Sequence, residues 1–524
     1  MSRFNVFSPR AAQLAVGAVF LALLAVQWRG PGFLPGTDAI AYITGGVNLF
    51  TTGSFTNPGG EPELWFPPLY PILIGAASLG GRVDPTTVAH LLSASFALLG
   101  LFVTARIARE IGARGYEPAL AMALLALNPI HQRAGLYAWS EATATLLALS
   151  GFLIWLRLPH RDSYRHYLLV GLCAGLSYLT RPEGLLLLPV WLAVDAFGGR
   201  ISRPFLARWA IAGVVFALVA LPYMIYLYEH TGRLTLTGKT EINLASGRAT
   251  YFGQLTTSYI DPATLEIGLW REDFTFLDDA GRVAWNSARI LATYGRNLGA
   301  FLALPVLLGV VALVQTRRVR FLSGGTVFLL YVLVVALFQV KDRFLHLSLP
   351  FLSILAARGV IALLEFVRET DRRSWRAYAR AALAIGGVGL IVQGTAAARH
   401  HVDVERTGAV LFRNAGIALR EHAPTHGVIY EQWGHFGFHA RQHTRILTRN
   451  DVDTILRYID KHEQPGRPIY LALSSMEAEW YHPSVRALLQ STAQGFPRLR
   501  REISLSDERG TVVIYRVQAP ADGQ

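Results

Sequence analysis

Thr37-Asp38-Ala39-Ile40-Ala41-Tyr42 lies shortly after the first apolar run of this sequence, which ends near Trp28, and it contains a single carboxylate. Trp65-Phe66-Pro67-Pro68-Leu69-Tyr70-Pro71 follows at the point where the chain becomes apolar again. The two stretches predict a long loop, residues 29–68, that leaves a membrane and returns to it. Asp38 would then be held against the bilayer surface, and it is the leading candidate for a catalytic group.

A helix is predicted directly after Asp38. Apolar residues from Ile40 to Phe50 recur at helical spacing, which is typical of an amphipathic helix lying on the membrane surface over 38–51. A carboxylate at the start of a helix also accepts hydrogen bonds from exposed backbone N–H groups. The local sequence therefore leaves two interpretations of Asp38, a helix cap and a catalytic carboxylate.

The composition is that of a membrane protein. Hydrophobic residues make up 52% of the chain and charged residues 16%, and the mean hydropathy is +0.33. Apolar runs long enough to cross a bilayer recur through residues 1–397 and predict about eleven spans. They lie near 11–28, 86–107, 117–133, 138–156, 165–180, 184–198, 208–228, 298–315, 322–340, 344–366 and 378–397. The stretch 67–80 is too short to span and is predicted to be interfacial or re-entrant.

Every second predicted loop is rich in arginine. These loops contain Arg3 and Arg10, Arg106 to Arg114, Arg157 to Arg165, Arg200 to Arg208, Arg317 to Arg320, and Arg368 to Arg376. The positive-inside rule makes them cytoplasmic, so the N-terminus lies inside while Asp38 and the C-terminal tail face outward. This topology accounts for most of the net charge of +13, and nucleic acid is therefore not predicted as a partner.

The only cysteine, Cys173, lies in an apolar run, so an outward domain would have no disulfide. The first apolar run has the position of a signal peptide. However, it is long, no small-residue cleavage site follows it, and Trp28 suits an interfacial anchor at its outer end. We therefore expect this run to be retained as a membrane span.

A second outward loop is predicted over 229–297. Arg233, Lys239 and Arg248 each follow a glycine there. A cation in such a loop at the bilayer surface suits the phosphate of a lipid-linked ligand, although an ordinary solvated side chain is the alternative at each position. Asp278-Asp279 has no further metal ligands nearby and is predicted to lie on the surface.

Residues 398–524 are predicted to form a small, soluble α/β domain. The predicted strands are 428–430, 469–473 and 511–515, and the predicted helices are 451–462 and 483–491. His435, His439 and His443 have the spacing of one helix face. Glycines interrupt that helix and no acidic or cysteine ligand is adjacent, so metal binding is the less favoured interpretation.

Ionisable residues also lie at the ends of predicted spans. Ser140-Glu141 opens one span, Thr180-Arg181-Pro182-Glu183-Gly184 joins two others, and Lys341-Asp342-Arg343-Phe344-Leu345-His346 lies between the spans near 322–340 and 344–366. Charged groups at membrane depth are costly, and this makes them candidates for function. Arginine and lysine at span ends can instead extend to the interface, whereas Glu141 lies slightly inside an apolar run.

The order of these stretches resembles the GT-C membrane glycosyltransferases. The similarity to their first outward loop is carried by 38–42, by Asn48-Leu49-Phe50-Thr51-Thr52-Gly53-Ser54-Phe55 and by 67–71. Weaker matches are 140–141, 180–184, 237–239 and Arg343-Phe344 followed by Leu349-Pro350. The resemblance covers residues 10 to about 397 and is greatest to the bacterial protein O-mannosyltransferase and aminoarabinose-transferase branch. Many relatives carry a second acidic residue directly after the motif aspartate, where this chain has Ala39, so the mannosyltransferase substrate is not assigned.

This resemblance implies an enzyme of the bacterial inner membrane with a GT-C-like transmembrane domain over 1–397 and an extracytoplasmic domain over 398–524. Such an enzyme transfers a sugar from a polyprenyl-phosphate donor to a lipid, glycan or protein acceptor, with inversion at the anomeric carbon. A phosphate leaving group needs no general acid. The reaction needs one base for the acceptor hydroxyl and cations for the phosphate.

The resemblance also assigns roles to individual residues. Asp38 would be the base or acceptor-orienting carboxylate, and Glu141 would support the acceptor. The donor phosphate would be bound by Lys239, Arg343 and Arg181, and the substrate loop would include Tyr42, Pro68 and Tyr70. No cofactor is assigned, and a divalent metal with Asp38 as its ligand is left open.

Two other classes of protein are compatible with parts of the sequence. A transporter or flippase of a lipid-linked sugar would use the same cations for phosphate and Asp38 as a gate. An internal repeat or paired broken spans would favour a transporter, and the sequence has neither. A scaffold that displays the C-terminal domain would leave the first loop without a purpose, so the enzyme is the predicted class.

Overall fold

The structure is a computed structural model. It describes residues 8–28, 37–158, 163–199, 201–253, 258–269, 275–298, 302–369, 392, 410–423, 427–432, 434–464, 466–490, 496–508 and 510–520. The predicted span near 378–397 therefore lies outside the described residues, apart from one position.

The N-terminal part of the chain is helical. Its helices are α1 (Pro9–Gln27), α2 (Thr37–Thr52), α3 (Leu69–Ala77), α4 (Pro85–Glu110), α5 (Glu117–Ala126), α6 (Pro129–Leu136), α7 (Glu141–Arg157), α8 (Tyr164–Thr180), α9 (Leu187–Gly198), α10 (Arg203–Thr231), α11 (Thr240–Tyr251), α12 (Phe276–Leu298), α13 (Ala303–Gln315), α14 (Val319–Ala336) and α15 (Leu349–Glu369). The 3-10 helices Pro182–Leu186 and Asp342–Ser348 lead into α9 and α15. A short antiparallel pair, β1 (Ser258–Ile260) and β2 (Ile267–Leu269), lies between α11 and α12.

Several of these helices have the character of membrane spans, as predicted. Within the described residues, five helical segments are long and apolar enough to cross a bilayer: α1, α4, α10, α14, and α15 with its preceding 3-10 helix. The pair α6 and α7, bent by 111°, would make a sixth if it is one broken span. Helices also cover the other predicted spans in the described residues, and some of them are shorter than a full crossing. The protein is thus a helical membrane protein, and the number of about eleven spans stays a prediction.

The prediction of one continuous span near 117–133 was wrong. Helix α5 ends at Ala126, and α6 begins at Pro129 after a break. Proline has no N–H to continue the helical ladder, and the Asn128 side chain accepts a hydrogen bond of 2.9 Å from the Ile130 N–H, which starts a new helix. The break and the bend that follows bring the N-terminus of α7, with Glu141, inside the protein.

The helices pack closely where small residues face each other. A Cβ atom added at Gly359 of α15 would lie 1.8 Å from the carbonyl oxygen of Pro305, and one added at Gly309 of α13 would lie 1.9 Å from that of Leu355. The backbones of α13 and α15 therefore touch, as is common where membrane helices cross. Buried aromatic side chains such as Trp155 and Trp191 fill the interior of the bundle nearby.

The C-terminal part is a small α/β domain, as predicted. Its five-stranded sheet has the order β4-β3-β5-β7-β6. Strand β3 pairs in parallel with β4 and β5, and β7 pairs antiparallel with both β5 and β6. The strands are β3 (Val428–Glu431), β4 (His443–Ile446), β5 (Ile469–Ser474), β6 (Leu499–Asp507) and β7 (Gly510–Val517). The helices are α16 (residues 410–422), α17 (His435–Ala440), α18 (Val452–His462) and α19 (Pro483–Ala487).

Most of the predicted elements of this domain are present. The strands predicted at 428–430, 469–473 and 511–515 correspond to β3, β5 and β7, and the helix predicted at 451–462 corresponds to α18, which Asp451 caps. The helix predicted at 483–491 ends early, at Ala487. Strands β4 and β6 were not predicted, since they lie at the two sheet edges and carry mainly polar side chains.

The C-terminal domain contacts the segment between α2 and α3 directly. The backbone N–H of Thr444 donates a hydrogen bond of 3.0 Å to the carbonyl oxygen of Pro58. Beside it, Arg445 pairs with Glu61 at 2.5 Å. These contacts hold the edge strand β4 against the loop that contains Asp38.

Replacing Gly359 with leucine will destabilise the protein, because the new side chain has no room between α13 and α15. We expect Gly359→Leu to lower the free energy of unfolding by at least about 3 kcal/mol. The matched control is Gly213→Leu in α10, where nothing lies within 4 Å of an added Cβ. Denaturant titration of the purified proteins in mixed micelles measures both changes, and equal stability of the two variants would contradict the close crossing.

Candidate active site

The first turn of α2 places Asp38 at the edge of the helical bundle. One turn later, the Tyr42 hydroxyl shares a hydrogen bond of 3.1 Å with the Ser140 hydroxyl, directly before α7. The Tyr42 ring also contacts the rings of Phe66 and Tyr70, at centroid distances of 4.7 and 5.3 Å. These contacts fix the start of α2 against α3 and α7, so the Asp38 side chain has a defined position.

The second half of the predicted substrate loop supports this arrangement. Pro68 directly precedes α3, and the buried Tyr70 hydroxyl donates to the Ala89 carbonyl oxygen at 3.0 Å and lies 2.6 Å from the Ser93 hydroxyl. Tyr70 thereby anchors α3 to α4. In the structure, the rings of Tyr42 and Tyr70 pack together beside the first turn of α2, and Pro68 lies in the chain directly before α3.

Charged residues from distant parts of the chain meet at Asp38. The carboxylate of Asp38 pairs with the Arg343 guanidinium. The Arg343 Nε atom lies 3.6 Å from Glu141 Oε1, and that same oxygen accepts a hydrogen bond of 2.8 Å from Arg181. Arg181 further pairs with Glu183 at 3.1 Å. The sequence had named four of these five residues as site residues, and the structure brings all four together.

The network is largely shielded from solvent. The Glu141 side chain is 4% exposed, and those of Arg343 and Asp38 are 12% and 20% exposed. Aromatic rings border the cations, with the Arg343 guanidinium 5.1 Å from the centroid of the Trp139 ring. Buried charges of this kind are tolerated only when they are paired, and here the two arginines alternate with three carboxylates.

Lys239 is the one glycine-flanked cation of the second loop that reaches this site. Its ammonium group lies 3.6 Å from the centroid of the Phe66 ring, in the loop that follows Asp38. Arg233 is instead 81% exposed and Arg248 pairs with Asp279 at 2.6 Å. The solvated or structural interpretation therefore holds for these two arginines.

The charges in the site shift the protonation of their neighbours. Burial by itself would raise the pKa of the Asp38 carboxyl, but the positive charge of Arg343, helped by Lys239, holds it well below its usual range. Burial, helped by repulsion from Arg343, lowers the pKa of the Lys239 ammonium to about 8, although Asp38 opposes this change. Asp38 is thus an ionised carboxylate, and Lys239 loses its charge at mildly alkaline pH.

Sequence analysis assigned no role to some residues that lie at the site. His346, three residues after Arg343, lies 2.9 Å from both His131 Nδ1 and Thr145 Oγ1 and so fastens the 3-10 helix to α6 and α7. Tyr331 of α14 borders the small cavity between Arg181 and Arg343. The signal for His346 was its place in a polar run at a span end, whereas Tyr331 lies in an ordinary apolar run.

Glu63 was also missed. It is buried in the first loop, and its carboxylate accepts hydrogen bonds of 2.8 and 3.1 Å from the Trp65 and Phe66 backbone N–H groups. Burial raises its pKa to about 7 despite these hydrogen bonds. Glu63 thus holds the backbone of the residue whose ring contacts Lys239.

The arrangement does not fit a divalent metal. Among the residues that the structure describes, no group of three or more histidine, cysteine, aspartate or glutamate side chains could hold a metal ion. At the site, Asp38 and Glu141 face arginines rather than each other. In the C-terminal domain, His435 and His439 lie on α17, whereas His443 lies on β4, so they do not form the helical row that their spacing suggested.

The fold matches solved structures of GT-C glycosyltransferases. The oligosaccharyltransferase of Archaeoglobus fulgidus, tethered to an acceptor peptide containing the NVT sequon, matches with a TM-score of 0.61 and 13% identity, over 91% of this chain and 70% of that chain. ArnT from Cupriavidus metallidurans bound to undecaprenyl phosphate matches with a TM-score of 0.56 and 16% identity, over 96% and 97%. The apo form of the same protein matches with a TM-score of 0.55 and 15% identity, over 96% of this chain and 97% of that chain. No protein-family model and no curated protein matches the sequence. The chain thus has the GT-C fold that the resemblance implied.

The pairing between Asp38 and Arg343 can be tested through stability. Arg343→Met leaves the Asp38 carboxylate unpaired in a poorly solvated place, and we expect the free energy of unfolding to fall by about 2–4 kcal/mol. In an Asp38→Asn background the same change should cost less, with a coupling of about 1–3 kcal/mol. A double-mutant cycle by denaturant titration in mixed micelles measures the coupling, and additive effects would contradict the ion pair.

Proposed function

We propose that this protein is an inverting membrane glycosyltransferase that transfers a sugar from a polyprenyl-phosphate donor to an acceptor at the outer face of a bacterial inner membrane. The observation that carries the proposal is the meeting of Asp38 with Arg343, Arg181 and Lys239 at the edge of the helical bundle. A carboxylate beside several cations suits a reaction in which a hydroxyl loses a proton and a phosphate leaves. Support also comes from the GT-C fold and from the undecaprenyl phosphate bound to ArnT, a protein of the same fold.

The chemistry follows from these groups. The acceptor oxygen attacks the anomeric carbon while the bond from that carbon to the phosphate oxygen breaks, and the configuration inverts. The acceptor proton passes to the Asp38 carboxylate, and the polyprenyl phosphate leaves with the electron pair. Arg343 and Lys239 stabilise the negative charge that develops on the phosphate.

Arg343 links donor binding to the basicity of Asp38. A donor phosphate beside Arg343 would compete with Asp38 for the same guanidinium, since both anions suit its planar fork of N–H donors. As Arg343 turns toward the phosphate, Asp38 loses the charge that holds its pKa down. Asp38 would then become a better base at the moment when the donor is in place.

Glu141 and Arg181 have a supporting role in this proposal. Glu141 contacts both Arg343 and Arg181, so it keeps the two guanidinium groups apart and aligned. The orientation with Asp38 and residues 398–524 outside follows from the arginine-rich loops. In this division, residues 1–397 perform the reaction and the C-terminal domain lies over the first loop.

Changing Asp38 to asparagine will abolish transfer. Asparagine keeps the size and much of the hydrogen bonding but cannot take the acceptor proton, so we expect the rate to fall by at least about 10²–10⁴-fold. The measurement is transfer of radiolabelled sugar in membranes that express the protein, with a panel of polyprenyl-phosphate sugars as donors.

The matched control is Asp278→Asn, which changes a partly exposed aspartate that accepts a hydrogen bond from the Thr275 N–H directly before α12, and asparagine can accept the same bond. This variant should transfer sugar like the wild type. Full activity of a folded Asp38→Asn protein would remove Asp38 from the reaction. Absence of transfer by the wild type from every donor would argue for the transporter instead.

The pH dependence should report on Lys239. Lysine binds phosphate only when protonated, and with a pKa of about 8 its charged fraction falls as the pH rises through 8. We therefore expect KM for the donor to rise above pH 8. At one pH unit above the pKa, about one tenth of Lys239 is still protonated. Lys239→Arg stays charged throughout and should remove this alkaline rise. An unchanged alkaline rise in Lys239→Arg would show that another group titrates.

A further inference from the structure

A large cleft separates the C-terminal domain from part of the first outward loop. It has a volume of about 880 Å³, within the range of about 300–1,000 Å³ that is usual for sites of small ligands. One wall comes from α2 and from the turn between α3 and α4, and the other comes from α16, α17 and the start of β4. No residue of this cleft belongs to the ion-pair network at Asp38.

The two walls of the cleft carry charges of opposite sign, and the positive charges outnumber the negative one. Arg413 and Arg420 of α16 and Arg441 after α17 line the side of the C-terminal domain. On the other side Asp84 is the single carboxylate among the described lining residues, and its charge is engaged in capping α4. Arginine is the side chain that best matches carboxylate and phosphate groups, because its N–H donors form a planar fork.

The positive field extends into the wall itself. His439 of α17 also lines the cleft, and its ring Nε2 atom is buried without a hydrogen-bond partner among the described residues. Burial, together with the charges of Arg413 and Arg420, lowers the pKa of His439 to about 4. The wall therefore offers fixed positive charge from arginine, and a neutral ring nitrogen that can form a further hydrogen bond.

The cleft follows the same helix that carries Asp38. Ile43, Thr44 and Val47 of α2 line it, and Thr44 is six residues after Asp38, or about 9 Å along the helix axis. Phe438 of α17, which also lines the cleft, packs against the buried cluster that contains Tyr42. The cleft thus lies beside the helix that carries Asp38, on the side of the C-terminal domain.

We propose that this cleft binds the acceptor, and that the acceptor is a glycan bearing carboxylate or phosphate groups recognised by Arg413, Arg420 and Arg441. This inference rests on the proposed glycosyltransferase function, because it assigns the acceptor side of the same site. The donor cations lie at the other end of α2, so donor and acceptor are recognised by separate sets of positive charges. Asp84 opposes the anion and limits its affinity.

Binding of model glycans to the full-length protein in detergent tests the proposal without a donor. The probes are tetragalacturonate for carboxylates, a phosphorylated mannotriose for phosphate, and neutral maltotetraose. We expect at least one anionic probe to bind about tenfold or more tightly than the neutral one, since each arginine contributes a charge-assisted hydrogen bond. Calorimetric titration gives Kd for each probe, and the two anionic probes distinguish the carboxylate from the phosphate.

Three variants assign the binding to this cleft. Arg420 and Arg441 are both exposed, so Arg420→Gln with Arg441→Asn should not disturb folding, and asparagine tolerates the positive φ of 56° at position 441. We expect this double variant to bind the anionic probe about tenfold or more weakly than the wild type does. Asp84→Asn keeps an N-cap but removes the carboxylate, and it should tighten binding. The control is Arg500→Gln on β6, at the opposite edge of the sheet from β4, which should leave Kd unchanged.

The outcomes separate this proposal from the proposed reaction. Asp38→Asn should bind the anionic probe like the wild type, because Asp38 does not line the cleft. Loss of transfer with retained binding therefore concerns the reaction alone. Equal affinity for neutral and anionic probes, no binding of any probe, or an unchanged Kd in both charge variants would overturn the assignment of the cleft to an anionic acceptor.

Discussion

The ion pair between Asp38 and Arg343 joins two residues that are 305 positions apart, and the geometry of the candidate site depends on it. Neither charge could stay at this depth alone, because an unpaired ion away from water costs several kcal/mol. Glu141 and Arg181 extend the pair into a chain, so α2, α7, the end of α8 and the 3-10 helix before α15 must meet at one place. The loops between these elements are therefore constrained even where they have few apolar contacts.

The same constraint explains what the sequence could predict. Charged residues in apolar surroundings are conspicuous, and Asp38, Glu141, Arg181 and Arg343 were chosen on that ground and lie together in the structure. The long apolar helices and strands β3, β5 and β7 follow from apolar runs in the same way. Sequence analysis did not predict the break between α5 and α6, where Asn128 and Pro129 end the apolar run and a more polar helix follows. It also assigned no role to His346 within the candidate stretch 341–346, because a histidine near a span end has no pattern that separates a packing role from solvation.

The C-terminal domain is connected to the site through the first loop. Arg445 on the edge strand β4 pairs with Glu61, and two residues further on Glu63 holds the backbone N–H groups of Trp65 and Phe66. The ring of Phe66 in turn contacts Lys239. A short series of contacting groups thus connects the C-terminal sheet to Lys239 in the site. Polar edge strands such as β4 are poorly marked in a sequence, so this connection could be found only in three dimensions.

The alanine at position 39 fits the same electrostatic arrangement. Ala39 is fully buried in the apolar cluster that contains Tyr42 and Phe66, so a carboxylate at this position would have to enter an apolar environment. Glu141 instead supplies the second carboxylate from α7, on the other side of Arg343. In the proposed reaction Arg343 would leave Asp38 for the donor phosphate, and Glu141 would still compensate part of its charge.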